Sequence, residues 1–158
     1  MSGVIARWAF LRAMGATVIV AGRINASTAQ TQAVPWSSGT ELPKLKAPPN
    51  ACDCHMHIYD SRFPAAPNAK MRPPDATHDA HRRLQRRIGT ARIVVVTPST
   101  YGTDNSCTLD AIARFGASAR GVAVVDTSVT DAELKRLNDL GVRGVRFNLV
   151  QSGATTID

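Results

Sequence analysis

Apolar residues form four short runs between residues 51 and 150, and segments with a helical spacing of apolar residues separate them. The two middle runs, RIVVVTPS at 92–99 and RGVAVVDT at 120–127, have continuous apolar centres that are rich in valine. Such runs are typical of parallel strands that helices cover on both faces. Together with residues 51–60 and 142–150, they predict four buried β-strands.

The three segments between these runs each predict an amphipathic helix. In the third segment, Thr130 and Glu133 have the spacing of a capping box, which predicts a helix start. Gly116 and Gly141 are placed to end the second and third helices. The predicted buried positions are Ala80, Leu84 and Ile88 within 75–88, then Leu109, Ile112 and Ala113, then Leu134, Leu137 and Leu140.

The order β-α-β-α-β-α-β predicts an α/β fold with a parallel sheet and right-handed crossovers. A doubly wound open sheet and a (β/α)8 barrel both satisfy this order. No glycine-rich phosphate-binding fingerprint follows the first strand, which weighs against a dinucleotide-binding fold. Polar residues follow the strands where a barrel places its active site, namely His55, His57, Ser99, Arg146 and Asn148. We therefore predict a (β/α)8 TIM barrel, of which residues 51–158 would cover about four strands and three helices.

The N-terminal region predicts a separate segment. Residues 1–29 have a basic start, ten weakly apolar residues at 13–22, and small residues at Ser27 and Ala29 that suit a signal-peptidase site. This segment is interpreted as a signal peptide or as a disordered extension. The first interpretation predicts a periplasmic or exported protein, and the second predicts a cytoplasmic one. Residues 30–50 are rich in proline and predict a linker.

The chain is basic, with a net charge of +7 from 19 Lys and Arg against 12 Asp and Glu. Four of the arginines lie in HRRLQRR at 81–87, which raises nucleic-acid binding as one interpretation. No aromatic residue accompanies these arginines to stack on bases, so a solvated outer helix face is favoured. We expect neither a nucleic acid nor a membrane as a partner.

The run ACDCHMHIYD at 51–60 carries the candidate chemistry. Alternate residues of a strand share a face, so His55 and His57 are expected to point into the barrel mouth together with Asp53. Two such imidazoles can bind one metal ion, although a hydrolytic site also needs a third ligand and a water position. The alternative is a pair of hydrogen-bonded core histidines. Cys52 and Cys54 are expected to face the helices as small buried hydrophobes, with a compact Cys/His zinc site as the alternative.

Several motifs together resemble one enzyme family. DCHMHIYD at the first strand resembles the amidohydrolase-related (amidohydrolase 2) family of barrels. PSTYGTDN at 98–105, TLDAIARFGASARGVAVVD at 108–126 and GVRGVRFN at 141–148 are similar to its lactonase branch. That branch includes 2-pyrone-4,6-dicarboxylate lactonase, sulfomuconolactone hydrolase and galactarolactone isomerase. The resemblance implies a hydrolase in which water attacks the polarised carbonyl of an anionic lactone.

The resemblance also implies roles for individual residues. His55 and His57 match paired histidines that bind a divalent metal such as Zn or Mn in most of the superfamily. In the pyrone lactonase they polarise the lactone carbonyl without a metal, so both alternatives stay open. The implied substrate-binding residues are Ser99 and Arg146, which match groups that contact carboxylates, and the neighbouring motif residues Tyr101, Thr103 and Asn148.

The sequence departs from the pyrone lactonase pattern at two positions. Met71 replaces a substrate-binding tyrosine and Ser152 replaces a second arginine, which favours a lactone with fewer charges or a sugar lactone. The family's general base, an aspartate of the eighth strand, is not expected among residues 51–158. The alternative function is therefore a catalytically inactive, truncated half-barrel that self-associates through unpaired strand edges.

Overall fold

The computed structural model describes residues 41–147, all of which belong to the unit Thr31–Asp158. The predicted signal peptide at 1–29 lies outside the described residues, as do Asn148 and Ser152. The strands are β1 (Cys52–Met56), β2 (Arg92–Val96), β3 (Ala119–Val124) and β4 (Val142–Arg146), and the helices are α1 (His78–Ile88), α2 (Ser106–Phe115) and α3 (Asp131–Asp139). Short 3-10 helices occupy Ser99–Tyr101 and Gly116–Ser118.

The four strands form one sheet in the order β1-β2-β3-β4, and every neighbouring pair is parallel. Sequential order is the arrangement of a barrel, whereas a doubly wound sheet reverses its strand order at a switch point. The predicted alternation of strands and helices is confirmed, and the architecture is that of a partial (β/α)8 barrel. The carboxyl ends of all four strands therefore lie at one edge of the sheet.

The core lies between the sheet and α2. Ile93 and Val95 of β2 pack with residues of β3 and α2 in one buried cluster. Gly121 of β3 allows the close approach of α2, because a Cβ there would lie 2.5 Å from the Cδ1 atom of Ile112. Burial of this apolar surface is the main stabilising contribution, at roughly 25 cal/mol for each Å².

The helix ends follow local capping. The α1 helix begins at His78 rather than at residue 75, because Thr77 is the N-cap and its side chain accepts from the backbone N–H of Ala80. The predicted cap of α3 is confirmed, since Thr130 Oγ1 accepts from the N–H of Glu133 at 3.2 Å. Gly116 is the C-cap of α2, whereas Gly141 follows Leu140, the C-cap of α3, and both glycines have positive φ.

Several predicted buried positions are wrong. Ala113 is exposed, because it lies about 100° around α2 from the buried Ile112. In α3 only Leu137 is buried, whereas Leu134 is 38% and Leu140 46% exposed. A spacing of three residues turns a helix by about 300°, so these two leucines flank the buried face.

In α1, the face that meets the core is partly polar. Ala80 is buried as predicted, but the other buried residues of this helix are His81 and Gln85. Leu84 and Ile88 are only half-buried. The ring of His81 packs edge-on against Phe115 of α2, with the ring centroids 5.8 Å apart.

Residues 41–50, the described part of the predicted linker, contain no helix or strand. They run beside the end of α1, where the carbonyl of Glu41 accepts from Arg87 Nε at 2.7 Å. Within residues 41–147, no helix combines the length and the apolar character that a membrane crossing requires.

Candidate active site

The histidine pair lies at the end of a bulged strand, with His55 in β1 and His57 directly after it, at the edge of the described sheet. Asp53 is opposite Ile93 and Met56 is opposite Val95, so Cys54 and His55 together oppose a single residue of β2. This is the pattern of a β-bulge, in which one extra residue interrupts the alternation of faces. The bulge therefore changes which side chains of β1 lie on the same face of the sheet as the histidines.

The prediction that Asp53 points into the barrel mouth is wrong. Asp53 shares a face with its partner Ile93, on the helix side of the sheet. Its Oδ1 accepts from the backbone N–H of His55 at 3.3 Å, and its Oδ2 lies 3.7 Å from Nε2 of His81 in α1. The carboxylate therefore stabilises the bulge and is not part of the histidine site.

The cysteines also differ from expectation. Cys54 is exposed and Cys52 is half-buried, so neither is a small core residue. Cys54 Sγ lies 3.5 Å from the carbonyl oxygen of Cys52. At the bulge, the side chain of the extra residue has no regular place on either face of the sheet.

His57 has a fixed orientation. Its Nδ1 lies 2.8 Å from the carbonyl oxygen of Val96, and a carbonyl can only accept, so Nδ1 carries the proton. Burial lowers the pKa of His57, and the nearby His55 and Arg146 lower it further. The ring is therefore neutral near pH 7, with its Nε2 lone pair unprotonated. The exposed His55 ring packs edge-on to it, at 5.1 Å between centroids.

Arg146 approaches the same place from the end of β4. Its Nη1 donates to the carbonyl oxygen of Thr97 at 3.3 Å. Thr97 follows Val96 in the chain, so the guanidinium and the His57 imidazole bind adjacent carbonyls. The charge of Arg146 also acts on both neighbouring rings: it adds to the lowering of the His57 pKa by burial, and it opposes the raising of the Tyr59 pKa by burial.

The residues after β2 occupy different environments. Ser99 is half-buried at the start of the first 3-10 helix, and Thr103 is exposed in the loop that follows. Tyr101 is 4% exposed and belongs to the core cluster. Its hydroxyl accepts from the backbone N–H of Asp60 at 2.9 Å, and burial raises its pKa. This burial argues against substrate contact by Tyr101, and Asn148 lies outside the described residues.

A buried polar network surrounds Asn105, which the sequence pattern did not indicate as a functional residue. The side chain of Asn105 bonds both Thr97 and the backbone of Val124, and Thr97 also contacts Thr108. The sequence feature that could have indicated this network is Thr97 at the end of an apolar run, followed by Asn105 directly before a predicted helix. Such a pattern normally indicates capping, but the Asn105 side chain makes no cap bond.

The family model described as Amidohydrolase matches residues 52–156, two thirds of the chain. This stretch contains β1 to β4 and every residue of the site described above. The chain belongs to the amidohydrolase family. Its partial barrel, with polar groups at the carboxyl ends of the strands, is the corresponding part of an amidohydrolase fold.

The curated relatives of this chain include enzymes named for lactone substrates. The chain is 43% identical over 118 residues to a 2-pyrone-4,6-dicarboxylate hydrolase of Comamonas testosteroni, covering 73% of this chain and 39% of the relative. It is 36% identical to a 4-sulfomuconolactone hydrolase of Rhizobium radiobacter, covering 70% and 38%. It is 30% identical to a D-galactarolactone isomerase of Agrobacterium fabrum, covering 76% and 41%. The chain thus spans about two fifths of the length of these relatives.

Solved structures agree with this fold. An apo structure from Agrobacterium tumefaciens has a TM-score of 0.68 and 28% identity, over 74% of this chain and 42% of that chain. A probable 2-pyrone-4,6-dicarboxylic acid hydrolase from Acinetobacter baumannii, with citric acid bound, has a TM-score of 0.61 and 32% identity, over 63% of this chain and 38% of that chain.

The described part of this amidohydrolase supplies two candidate metal ligands. In His57 the bond from Nδ1–H to a backbone carbonyl leaves Nε2 unprotonated, which is the usual arrangement of a metal-binding histidine. Within residues 41–147, however, no group of three or more His, Cys, Asp or Glu side chains is arranged to hold a metal. His55 and His57 fit part of a metal site, and a mononuclear hydrolytic centre requires at least one further ligand.

Proposed function

We propose that the complete protein opens, or isomerises, a carboxylated or sugar-derived lactone by activating its ring carbonyl. The observation that carries this proposal is the convergence of His57 and Arg146 on the adjacent carbonyls of Val96 and Thr97. The His57 imidazole suits the reacting ring carbonyl, and the Arg146 guanidinium suits an anionic substituent. Together they match a lactone that carries a carboxylate group. The names of the relatives support this substrate class.

Arg146 would bind the substrate carboxylate. Its bond to Thr97 uses one of the five N–H donors of the guanidinium and holds the planar group in place. The remaining donors match the two oxygens of a carboxylate. Ser99 begins the first 3-10 helix, two residues after Thr97, and its hydroxyl group would be a second contact to the carboxylate.

The histidines would act on the lactone carbonyl. In its neutral form, His57 presents a lone pair at Nε2, so it can bind a divalent cation or accept a proton. A bound Zn²⁺ or Mn²⁺ would supply Lewis-acid polarisation of the carbonyl. Without a metal, His57 must be protonated before it can donate a hydrogen bond to that carbonyl. Elemental analysis of the purified complete protein distinguishes these two routes.

The test of this function is lactone hydrolysis by the complete protein, followed in a pH-stat. We expect Arg146→Ala to raise KM for a carboxylated lactone by about 10²-fold, because a paired carboxylate loses its partner. The same change should leave an uncharged lactone nearly unaffected. We expect His57→Ala to lower kcat by roughly 10²–10⁴-fold for both substrates, as is usual for loss of a catalytic proton-transfer group.

Arg143→Ala is the matched control, because Arg143 lies on the same strand but bonds Asn138 at the end of α3. It should leave KM for both lactones unchanged. Unchanged kinetics in both Arg146→Ala and His57→Ala would show that the site has been assigned to the wrong residues. An absence of activity on every lactone would remove the proposed substrate class.

A further inference from the structure

The hydrogen-bond ladder between β2 and β3 ends in an unusual way. The N–H of Thr97 donates to the carbonyl of Val122 at 3.0 Å, as in a regular parallel ladder. The next bond of such a ladder would join the N–H of Val124 to the carbonyl of Thr97. The N–H of Val124 instead donates to Oδ1 of Asn105 at 2.9 Å, and Nδ2 of Asn105 donates to the carbonyl of Val124 at 2.9 Å.

The side-chain amide of Asn105 thus replaces a strand residue as the partner of Val124. This replacement leaves the carbonyl of Thr97 available to another donor. That donor is Nη1 of Arg146, at 3.3 Å. The Thr97 carbonyl, which would accept from the N–H of Val124 in a regular ladder, therefore accepts from the guanidinium of Arg146.

The Asn105 amide is held in one orientation by its buried neighbours. Its Oδ1 accepts from the hydroxyl of Thr97 at 2.8 Å, and the Thr97 oxygen lies 2.7 Å from Thr108 Oγ1. Its Nδ2 also donates to the carbonyl of Thr103 at 3.1 Å. Rotating the amide by 180° would place N–H against N–H and carbonyl against carbonyl, so the network permits only this arrangement.

We propose that Asn105 is a positioning residue that frees the Thr97 carbonyl to hold the guanidinium of Arg146 in its anion-binding orientation. The inference rests on the proposed function, because that function makes Arg146 the anion-binding group. It adds a residue that touches neither the substrate nor the reacting atoms. In Asn105→Ala, the N–H of Val124 would return to the Thr97 carbonyl and compete with Arg146 for it.

A double-mutant cycle on the complete protein tests this coupling. We expect Asn105→Ala to raise KM for a carboxylated lactone about 10-fold, with less than about a 2-fold change for an uncharged lactone. In an Arg146→Ala background, the same change should alter KM by less than about 2-fold, because its target is gone. Additive effects of the two substitutions would overturn the inference and leave the proposed function intact. An unchanged KM in Arg146→Ala alone would overturn both.

Two variants separate positioning from stability. Thr108→Val removes another bond of the same network without affecting Val124 or the Thr97 carbonyl. It should lower Tm but leave the ratio of the KM values for the two lactones unchanged. If Thr108→Val lost as much substrate discrimination as Asn105→Ala, Asn105 would have a structural role only. Asn105→Asp keeps an acceptor oxygen for the N–H of Val124 but loses the donor to the carbonyls of Val124 and Thr103, so it should retain only part of the discrimination that alanine loses.

A measurement on the unmutated protein covers the case in which the variants do not fold. The wild-type protein, labelled with ¹⁵N and ¹³C, should show a scalar coupling across the hydrogen bond between the Val124 amide nitrogen and the Asn105 side-chain carbonyl carbon. A coupling of that nitrogen to the Thr97 carbonyl carbon would overturn the inference directly.

Discussion

His57 and His81 lie on opposite faces of the sheet, yet burial lowers the pKa of both. His81 is 8% exposed, and its Nε2 has no hydrogen-bond partner within the described residues. The carboxylate of Asp53 at 3.7 Å acts in the opposite direction, but the effect of desolvation is larger. Both imidazoles are therefore neutral in the folded chain near pH 7.

Because His57 and His81 are held in their neutral form in the folded chain, the stability of the fold depends on pH. Because the folded pKa values lie below the ordinary value of 6.5, the unfolded chain binds protons more readily as the pH falls. We expect the stabilising contribution to be complete above about pH 6.5 and to decrease as the pH drops towards the folded pKa values. Urea unfolding at a series of pH values should show this loss between pH 7 and 5.

The variant His81→Gln should make the pH dependence shallower, since one of the two groups no longer titrates. Arg82→Gln is the matched control on the same helix, because arginine does not titrate near neutral pH. An identical pH dependence in His81→Gln and in the wild type would show that His81 binds protons equally in both states.

The sequence predicted the positions of some site residues and missed others, for physical reasons. His57 and Arg146 lie at strand ends, where simple periodicity places them. Asp53 was misplaced because the bulge breaks the alternation on which the prediction depended. The contacts of Asn105 join residues 8 and 19 positions apart, and no local pattern specifies such contacts.

At the scale of elements, the turn between α3 and β4 depends on one glycine. Gly141 has φ of 98°, and its N–H donates to the carbonyl of Asn138 at 3.0 Å. A Cβ at this position would lie 3.0 Å from Cγ2 of Ile112 in α2. The turn therefore combines a backbone conformation that disfavours side chains with a close contact to the neighbouring helix.

We expect Gly141→Ala to lower the free energy of unfolding by about 1–3 kcal/mol, since it forces a side chain into a strained backbone region. Gly144→Ala is the control in the adjacent strand, because a Cβ there would meet only Cγ2 of Val122 at an ordinary 3.6 Å. Chemical denaturation measures both. Equal stabilities of the two variants would contradict the role assigned to the positive φ.

The type and order of the elements could be predicted because each strand and helix has its own periodicity. Their buried faces were less predictable, as Ala113, Leu134 and Leu140 show. An apolar residue at helical spacing satisfies a pattern whether it points at the sheet or lies beside it. Which of these occurs depends on the angle at which the helix packs, and that angle is a tertiary property.

At the scale of the whole molecule, β4 and α3 carry an exposed apolar surface. Val145 and Phe147 are each 46% exposed, as is Leu140. A cavity of about 270 Å³ lies between α3 and β4, lined in part by Leu134 and Val145. In the part of the chain that the structure describes, no strand pairs with the outer edge of β4.

These features predict that the 158-residue chain, expressed alone, self-associates. An apolar strand edge with free backbone donors and acceptors is a template for pairing with another chain. Size-exclusion chromatography with light scattering should give a mass above that of one chain. Val145→Lys should shift the mass towards the monomer, whereas Ala117→Lys, which adds the same charge at an exposed site elsewhere, should not. A monomeric wild-type chain would contradict this prediction.

The bulge in β1 also bears on thiol chemistry, because Cys54 at the bulge is exposed while Cys107 in α2 is buried. Cys107 is buried and its pKa is raised to about 11, and burial raises the pKa of the half-buried Cys52 as well. Cys54, at the bulge and next to His55, is the exposed thiol. We therefore expect a maleimide dye or spin label to react preferentially at Cys54 at neutral pH. The irregularity of one strand thus provides an attachment point for a reporter beside the histidine pair, without removal of either of the other cysteines.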